Sequence, residues 1–181
     1  SGVRQTTMVI LFDLDDTLVT HSRAFDAATA ALHARSNVTL TLPEFAAAWS
    51  AAHRRHFDRY LAGTTSYEGQ RRARVREVID SGLSDGDADG LFATYLSTYE
   101  DSWALFADVH PCLASVSGYR LGVVSNGQSL QQRLKLQRLD IADRFDCILI
   151  SEECGRSKPE PEIFLQACSL LGARPADAIY V

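Results

Sequence analysis

The sequence predicts an α/β fold: a parallel sheet layered between helices, interrupted after its first strand by an all-helical segment. Three observations predict it. Four short, continuously apolar runs recur along the chain, helical periodicity fills the gaps between the later ones, and residues 21 to 107 hold helix signals without a convincing strand. Strands alternating with helices imply βαβ crossovers, and these build parallel sheets.

Met8 to Phe12 (MVILF) is apolar on every position, as a strand buried on both faces requires. Residues 21 to 107 then read as a small helical bundle. Thr41-Leu-Pro-Glu44 and Thr65-Ser-Tyr-Glu68 have capping-box spacing, and Gly82 suits the end of the helix begun by the second box. Phe45, Trp49, Ala52 or His53, Phe57 and Leu61 form one apolar stripe, and Leu91, Tyr95, Leu96 and Tyr99 another. Further strands are expected at Arg120 to Val124 (RLGVV), Cys147 to Ile150 (CILI) and Ala178 to Val181 (AIYV). Helices are expected at Leu130 to Leu139 and at Pro161 to Leu171, where Ile163, Phe164, Ala167, Leu170 and Leu171 recur at helical spacing.

With 181 residues, 46% of them hydrophobic, the chain can bury one good core and a smaller appended domain. A net charge of −5 gives no electrostatic footprint for a nucleic acid polymer or an anionic membrane, so the expected partner is small. No apolar run approaches the ~20 residues that cross a bilayer, and no signal-peptide pattern opens the chain. Cys112, Cys147, Cys154 and Cys168 fall in neither CxxC pairs nor a dense framework, so free thiols in a reducing cytoplasm are expected. The opening Ser1-Gly2 has the look of a cloning remnant.

The chemistry concentrates at strand ends. Asp13, Asp15 and Asp16 place three carboxylates in four positions directly after the first strand, where mutual repulsion is best tolerated if a cation or a reaction uses them. A solvated acidic turn would also read this way. In open α/β sheets, however, ligands bind beyond the carboxyl ends of the strands. After the second strand come Ser125, Asn126 and Gly127, which can present donors to phosphate oxygens. After the third comes a loop carrying Lys158, a compact positive charge just before a helix. Each is weak alone; the three sets together are far more specific.

These segments, DLDDT at Asp13 to Thr17, VVSNG at Val123 to Gly127 and ISEECGRSKPEPEIF at Ile150 to Phe164, resemble the haloacid dehalogenase-like superfamily in sequence, order and spacing. The resemblance spans nearly the whole chain. It implies a three-layer Rossmann-like core over residues 1 to 20 and 108 to 181, with residues 21 to 107 as an α-helical cap. It further implies Asp13 as nucleophile and Asp15 as general acid and base. Ser125, Asn126 and Lys158 would bind the phosphoryl group, with Lys158 also steadying Asp13 and the transition-state charge. Mg²⁺ would lie between the Asp13 carboxylate and the phosphate, with the Asp15 backbone carbonyl as another ligand. Thr17 would order the turn. The implied substrate is a small phosphorylated metabolite: a nucleotide, a phosphosugar or phosphoglycolate. The acid at Asp15 favours phosphate esters, because the dehalogenases of the superfamily lack one there.

The superfamily's fourth motif, a strand followed by Gly-Asp and a further acid, would begin at Ala178 to Val181, where this sequence stops. Glu152 and Glu153 follow a different strand and are poor substitutes. The sequence is therefore expected to be a truncated or incompletely recorded form of a longer protein. A non-catalytic protein of the same fold, a dehalogenase and a phosphomutase stand as alternatives, and the sequence does not reveal the oligomeric state. Three other signals carry less. Asp85 to Gly90 copies half of a calcium loop but has Leu96 at its twelfth position, so a capped helix start at Ser84 or Asp85 is expected. His53 and His56 lack a third ligand. Arg71, Arg72, Arg74 and Arg76 read as a solvated face, or as one or two cations reaching a substrate.

Overall fold

The computed structural model describes residues 8–181. The four apolar runs become β1 (Val9–Phe12), β2 (Arg120–Ser125), β3 (Cys147–Ile150) and β4 (Ala178–Tyr180), all parallel, in the order β3-β2-β1-β4. Val9 pairs with Arg120 on one side and Ala178 on the other, which makes β1 an inner strand and explains why Val9, Leu11 and Phe12 are buried. Among the helices are α1 (His21–Arg35), α2 (Leu42–Leu61), α3 (Tyr67–Val78), α4 (Asp85–Asp101), α5 (Val109–Ser115), α6 (Ser129–Arg138), α7 (Ser151–Cys154) and α8 (Pro161–Leu170).

The chain divides into two compact units, one comprising the chain through Thr20 with Ala104–Val181, the other His21–Trp103. The stretch 104–107 is tied to residues 18–20. Thr20 N donates to the Ala104 carbonyl at 2.8 Å, and Phe106 N donates to the Leu18 carbonyl at 3.1 Å.

In the sheet unit, Ile163, Ala167, Cys168 and Leu171 of α8 and the residue after it pack on Val9, Leu11, Val124, Cys147 and Leu149. The helix lies close because Gly122 lacks a side chain: a Cβ there would meet Leu11 at 2.8 Å and Leu171 at 3.1 Å. This packing fixes the strand ends, and the loops leaving them, relative to one another.

The helical unit is held by aromatic packing of α2 against α4. Phe45 and Trp49 stack with ring centroids 6.1 Å apart, and Trp49 meets Tyr95 at 5.3 Å. Ala88, Phe92, Tyr95 and Tyr99 are the buried positions of α4; Leu91 and Leu96, expected in its stripe, are only partly buried. Large rings turn the packed face toward Phe92. Glu44 reaches back to the Thr41 N–H at 2.8 Å, as the box predicts, and also accepts from the Thr41 hydroxyl at 2.6 Å. The second box shifts by one residue: Ser66, not Thr65, caps α3 by accepting from Gly69 N at 2.9 Å. Gly82 does not end that helix, which stops at Val78; its N–H is instead taken by the Asp80 carboxylate at 2.8 Å. Ser84 caps α4, accepting from Asp87 N at 3.2 Å.

The arginine run is not a uniformly solvated face. Arg72 and Arg76, one turn apart, pair with Asp85, and Arg72 also with Asp89. Arg74 is 3% exposed, its guanidinium carbon 4.4 Å above the Trp49 ring. A planar, weakly hydrated cation can be buried against an aromatic face where an ammonium would resist it.

Candidate active site

β1 delivers the acidic segment to the carboxyl edge of the sheet. Asp13 N donates to the Val181 carbonyl at 2.8 Å, continuing the pairing with the β4 side. The chain then turns tightly. Thr17, Leu18 and Val19 N–H groups point to the Leu14 carbonyl, and Asp16 adopts φ +58°, a region that aspartate tolerates better than most residues. The turn separates Asp13 from Asp15 and gives their carboxylates different partners.

Asp13 Oδ1 accepts from Lys158 Nζ at 2.5 Å and from its neighbour Leu14 N at 2.7 Å. Both side chains are partly shielded, 30% exposed for Asp13 and 15% for Lys158, so the pair is stronger than a surface salt bridge and still reachable. Lys158 Nζ also donates to Tyr180 Oη at 2.9 Å. Burial pushes the Tyr180 phenol up from its ordinary value, against the opposing pull of Lys158, which keeps it protonated at neutral pH.

Asn126 places the lysine. Its Oδ1 accepts from Lys158 N at 2.7 Å, and its Nδ2 donates to the Lys158 carbonyl at 3.0 Å. The Asn126 side chain, expected as a phosphate ligand, thus commits its carbonyl and one amide N–H to the Lys158 main chain. Ser125, the last residue of β2, is 1% exposed, and its Oγ accepts from Gln132 Nε2 at 2.8 Å. Gly127 follows at φ +142°, with its N–H on Ser151 Oγ at 3.0 Å and the space for a Cβ closed by Gln132 at 3.3 Å. Asp13, Ser125, Asn126 and Lys158 therefore lie on neighbouring strand ends and in direct or bridged contact.

Two residues that the sequence did not single out complete the site. Lys135 Nζ donates to Asp15 Oδ1 at 2.5 Å, and Gln132 Nε2 donates to Asp15 Oδ2 at 2.8 Å. The signal existed in the helical spacing, since Gln132, Lys135 and Leu136 share one face of α6, but polar side chains on a helix ordinarily read as solvated.

The Asp13 carboxylate and the Asp15 main-chain carbonyl, expected from the sequence as metal ligands, are both oxygen donors, and such a pair would suit a hard divalent ion that keeps water or substrate oxygens as its remaining ligands. The Asp15 carboxylate is engaged by Lys135 and Gln132. Among the described residues no group of three His, Cys, Asp or Glu side chains is placed to hold a metal. Glu152 and Glu153 are occupied elsewhere: Glu152 accepts from Ser129 N at 2.8 Å, and Glu153 binds Arg133 through Nε at 2.6 Å. No helix among the described residues is long and apolar enough to cross a membrane.

Residues 7–181 match the haloacid dehalogenase-like hydrolase family. The chain is similar to glyceraldehyde 3-phosphate phosphatase of Methanopyrus kandleri, at 33% identity over 95% of this chain and 73% of that protein. It is also similar to ribulose-1,5-bisphosphate 5-phosphatase of Halopiger xanaduensis, at 29% identity over 95% of this chain and 74% of that protein. Its fold matches that of the magnesium-bound HAD-hydrolase YfnB of Bacillus subtilis, with a TM-score of 0.74 and 21% identity over 97% of this chain and 78% of that one. The chain belongs to the haloacid dehalogenase-like hydrolases, alongside relatives that are named phosphatases and that it matches over most of their length.

Proposed function

We propose that the protein hydrolyses a small phosphomonoester, with Asp13 as the nucleophile. The observation that carries this reading is the contact of Lys158 Nζ with Asp13 Oδ1 at 2.5 Å, beside a buried serine hydroxyl at the end of the adjacent strand. An Asp13 oxygen attacks phosphorus in line, an O–P bond forms, and the ester O–P bond breaks. Asp15 gives its proton to the departing alkoxide, which leaves as an alcohol. Water then attacks the aspartyl-phosphate and passes its proton to Asp15, releasing phosphate and restoring Asp13. Ser125 offers a hydroxyl to the transferring oxygens, Lys158 offsets their charge, and Asn126 holds the Lys158 main chain in place. Mg²⁺, held by the Asp13 carboxylate and the Asp15 carbonyl, would supply charge neutralisation at the phosphate.

The relatives named above act, by their names, on phosphorylated sugars, which favours a phosphosugar among the small metabolites. Four thiols outside any disulfide suit a reducing compartment, so we place the reaction in the cytoplasm. The test is Mg²⁺-dependent phosphate release from a panel of sugar phosphates, nucleotides and phosphoglycolate, by the protein and by its Asp13→Asn variant. Release that disappears in the variant supports the reading. Release that persists in it, or no release from any ester, overturns it.

A further inference from the structure

We infer that Gln132 and Lys135 are positioning residues that hold the Asp15 carboxylate in the orientation needed for proton transfer; this rests on the proposed phosphate-ester reading. They stand three residues apart on α6, so their side chains leave the same helix face. Lys135 is 0% exposed, and a fully buried ammonium persists only where an anion meets it. In the substrate-free site the anion is Asp15, whose Oδ1 lies 2.5 Å from Lys135 Nζ, and the proton that Asp15 later gives to the alkoxide is taken up when the anionic ester binds beside it. Its other oxygen, Oδ2, lies 2.8 Å from Gln132 Nε2. The two donors fix both the position and the plane of the carboxylate, because each oxygen has its own partner. A carboxylate oxygen has lone pairs for more than one partner, so these two contacts do not bar a proton in transit.

Gln132 does a second thing. The same Nε2 lies 2.8 Å from Ser125 Oγ, and the residue is only 3% exposed. One amide nitrogen therefore ties the carboxylate proposed for proton transfer to the hydroxyl proposed to bind the phosphoryl group, at a separation set by a single atom. A misplacement of about 1 Å at such a group is enough to lower a rate about a hundredfold. Lys135 and Gln132 thus act through Asp15 and Ser125.

A positioning role for the acid predicts a dependence on the leaving group that a purely structural role would not. kcat/KM reports the steps up to cleavage of the ester bond. An alkoxide must be protonated as it leaves, whereas p-nitrophenolate leaves unaided. The experiment measures kcat/KM for p-nitrophenyl phosphate and for the best substrate among glycerol 3-phosphate, glyceraldehyde 3-phosphate and ribose 5-phosphate. The proteins compared are the wild type, Lys135→Met, Gln132→Met, Asp15→Asn and Lys135→Met in the Asp15→Asn background. Lys135→Met is expected to lose about 30- to 100-fold on the alkyl ester and less than about threefold on the aryl ester. It should lose nothing further on the alkyl ester once Asp15 is Asn. Gln132→Met, which leaves the buried ion pair intact, should show the same split more weakly and stands in if Lys135→Met fails to fold. Equal losses on both esters, or additive losses in the double variant, overturn the inference while leaving the reaction standing. A wild type inactive on every ester overturns both.

Discussion

Asn126 and Lys158 grip each other across 32 residues of sequence, side-chain amide to main chain, in both directions: Oδ1 takes the Lys158 N–H at 2.7 Å and Nδ2 gives to the Lys158 carbonyl at 3.0 Å. The lysine ammonium can sit on Asp13 because its backbone is held at the end of a neighbouring strand. Asn126→Ala breaks both bonds at a net cost of about 1–3 kcal/mol in stability. It should also lower kcat about tenfold or more by releasing Lys158, as steady-state kinetics and a urea titration of the same variant will show.

Gly127 sits at φ +142° with Gln132 closing the space above it. Gly127→Ala should destabilise the protein by about 1–3 kcal/mol, because an L side chain is strained in that region, and should lower activity through the displaced Gln132. Thermal melts beside rate measurements give both numbers.

Glu153 gives the protein an acid-sensitive tie. Burial would raise its carboxyl, but hydrogen bonds from Arg133 and Ser129 outweigh that and hold it below the ordinary 4.5. A depressed folded-state value means that the unfolded chain binds the proton more readily, so the stabilisation is present above the unfolded value and is lost as pH falls through the folded one. Melting temperatures of the wild type and Glu153→Gln should therefore differ most near neutral pH and converge as the pH drops below about 4.5, where the carboxyl protonates.

Arg74 is buried over Trp49, and its Nε and Nη2 find no hydrogen-bond partner among the described residues. Burial lowers its pKa from the ordinary range. Removing a buried charge that among the described residues has a Tyr95 hydrogen bond but no ionic partner relieves its desolvation, so Arg74→Met should leave the melting temperature unchanged or raise it. Trp49→Ala, which empties the middle of the ring cluster, should cost about 3–5 kcal/mol.

The sheet was legible because a parallel strand covered on both faces needs apolar residues on both, and MVILF, RLGVV and CILI have little else. The grouping of Asp13, Ser125 and Lys158 at neighbouring strand ends was legible because ligands in such sheets bind there. Asn126 was legible as a neighbour of that group, but its grip on the Lys158 main chain depends on a distance between two loops that only folding sets. The buried face of α6 was not legible: Leu130 is 72% exposed and Lys135 is fully buried, since a carboxylate across the site outweighs the hydropathy of the helix. Arg74 failed for a similar reason, an aromatic face replacing water around a cation. In these cases a partner distant in sequence overrode the local preference, whereas the Gly82 and Ser66 differences were local.

The central claim is that phosphate passes through Asp13. The direct measurement is to acid-quench the protein during turnover of its best phosphomonoester, reduce any acyl phosphate with borohydride, and map the modified residue by peptide mass. The account predicts homoserine at position 13 and none in Asp13→Asn. Turnover with an unmodified position 13, or with the acyl phosphate on another residue, would contradict it.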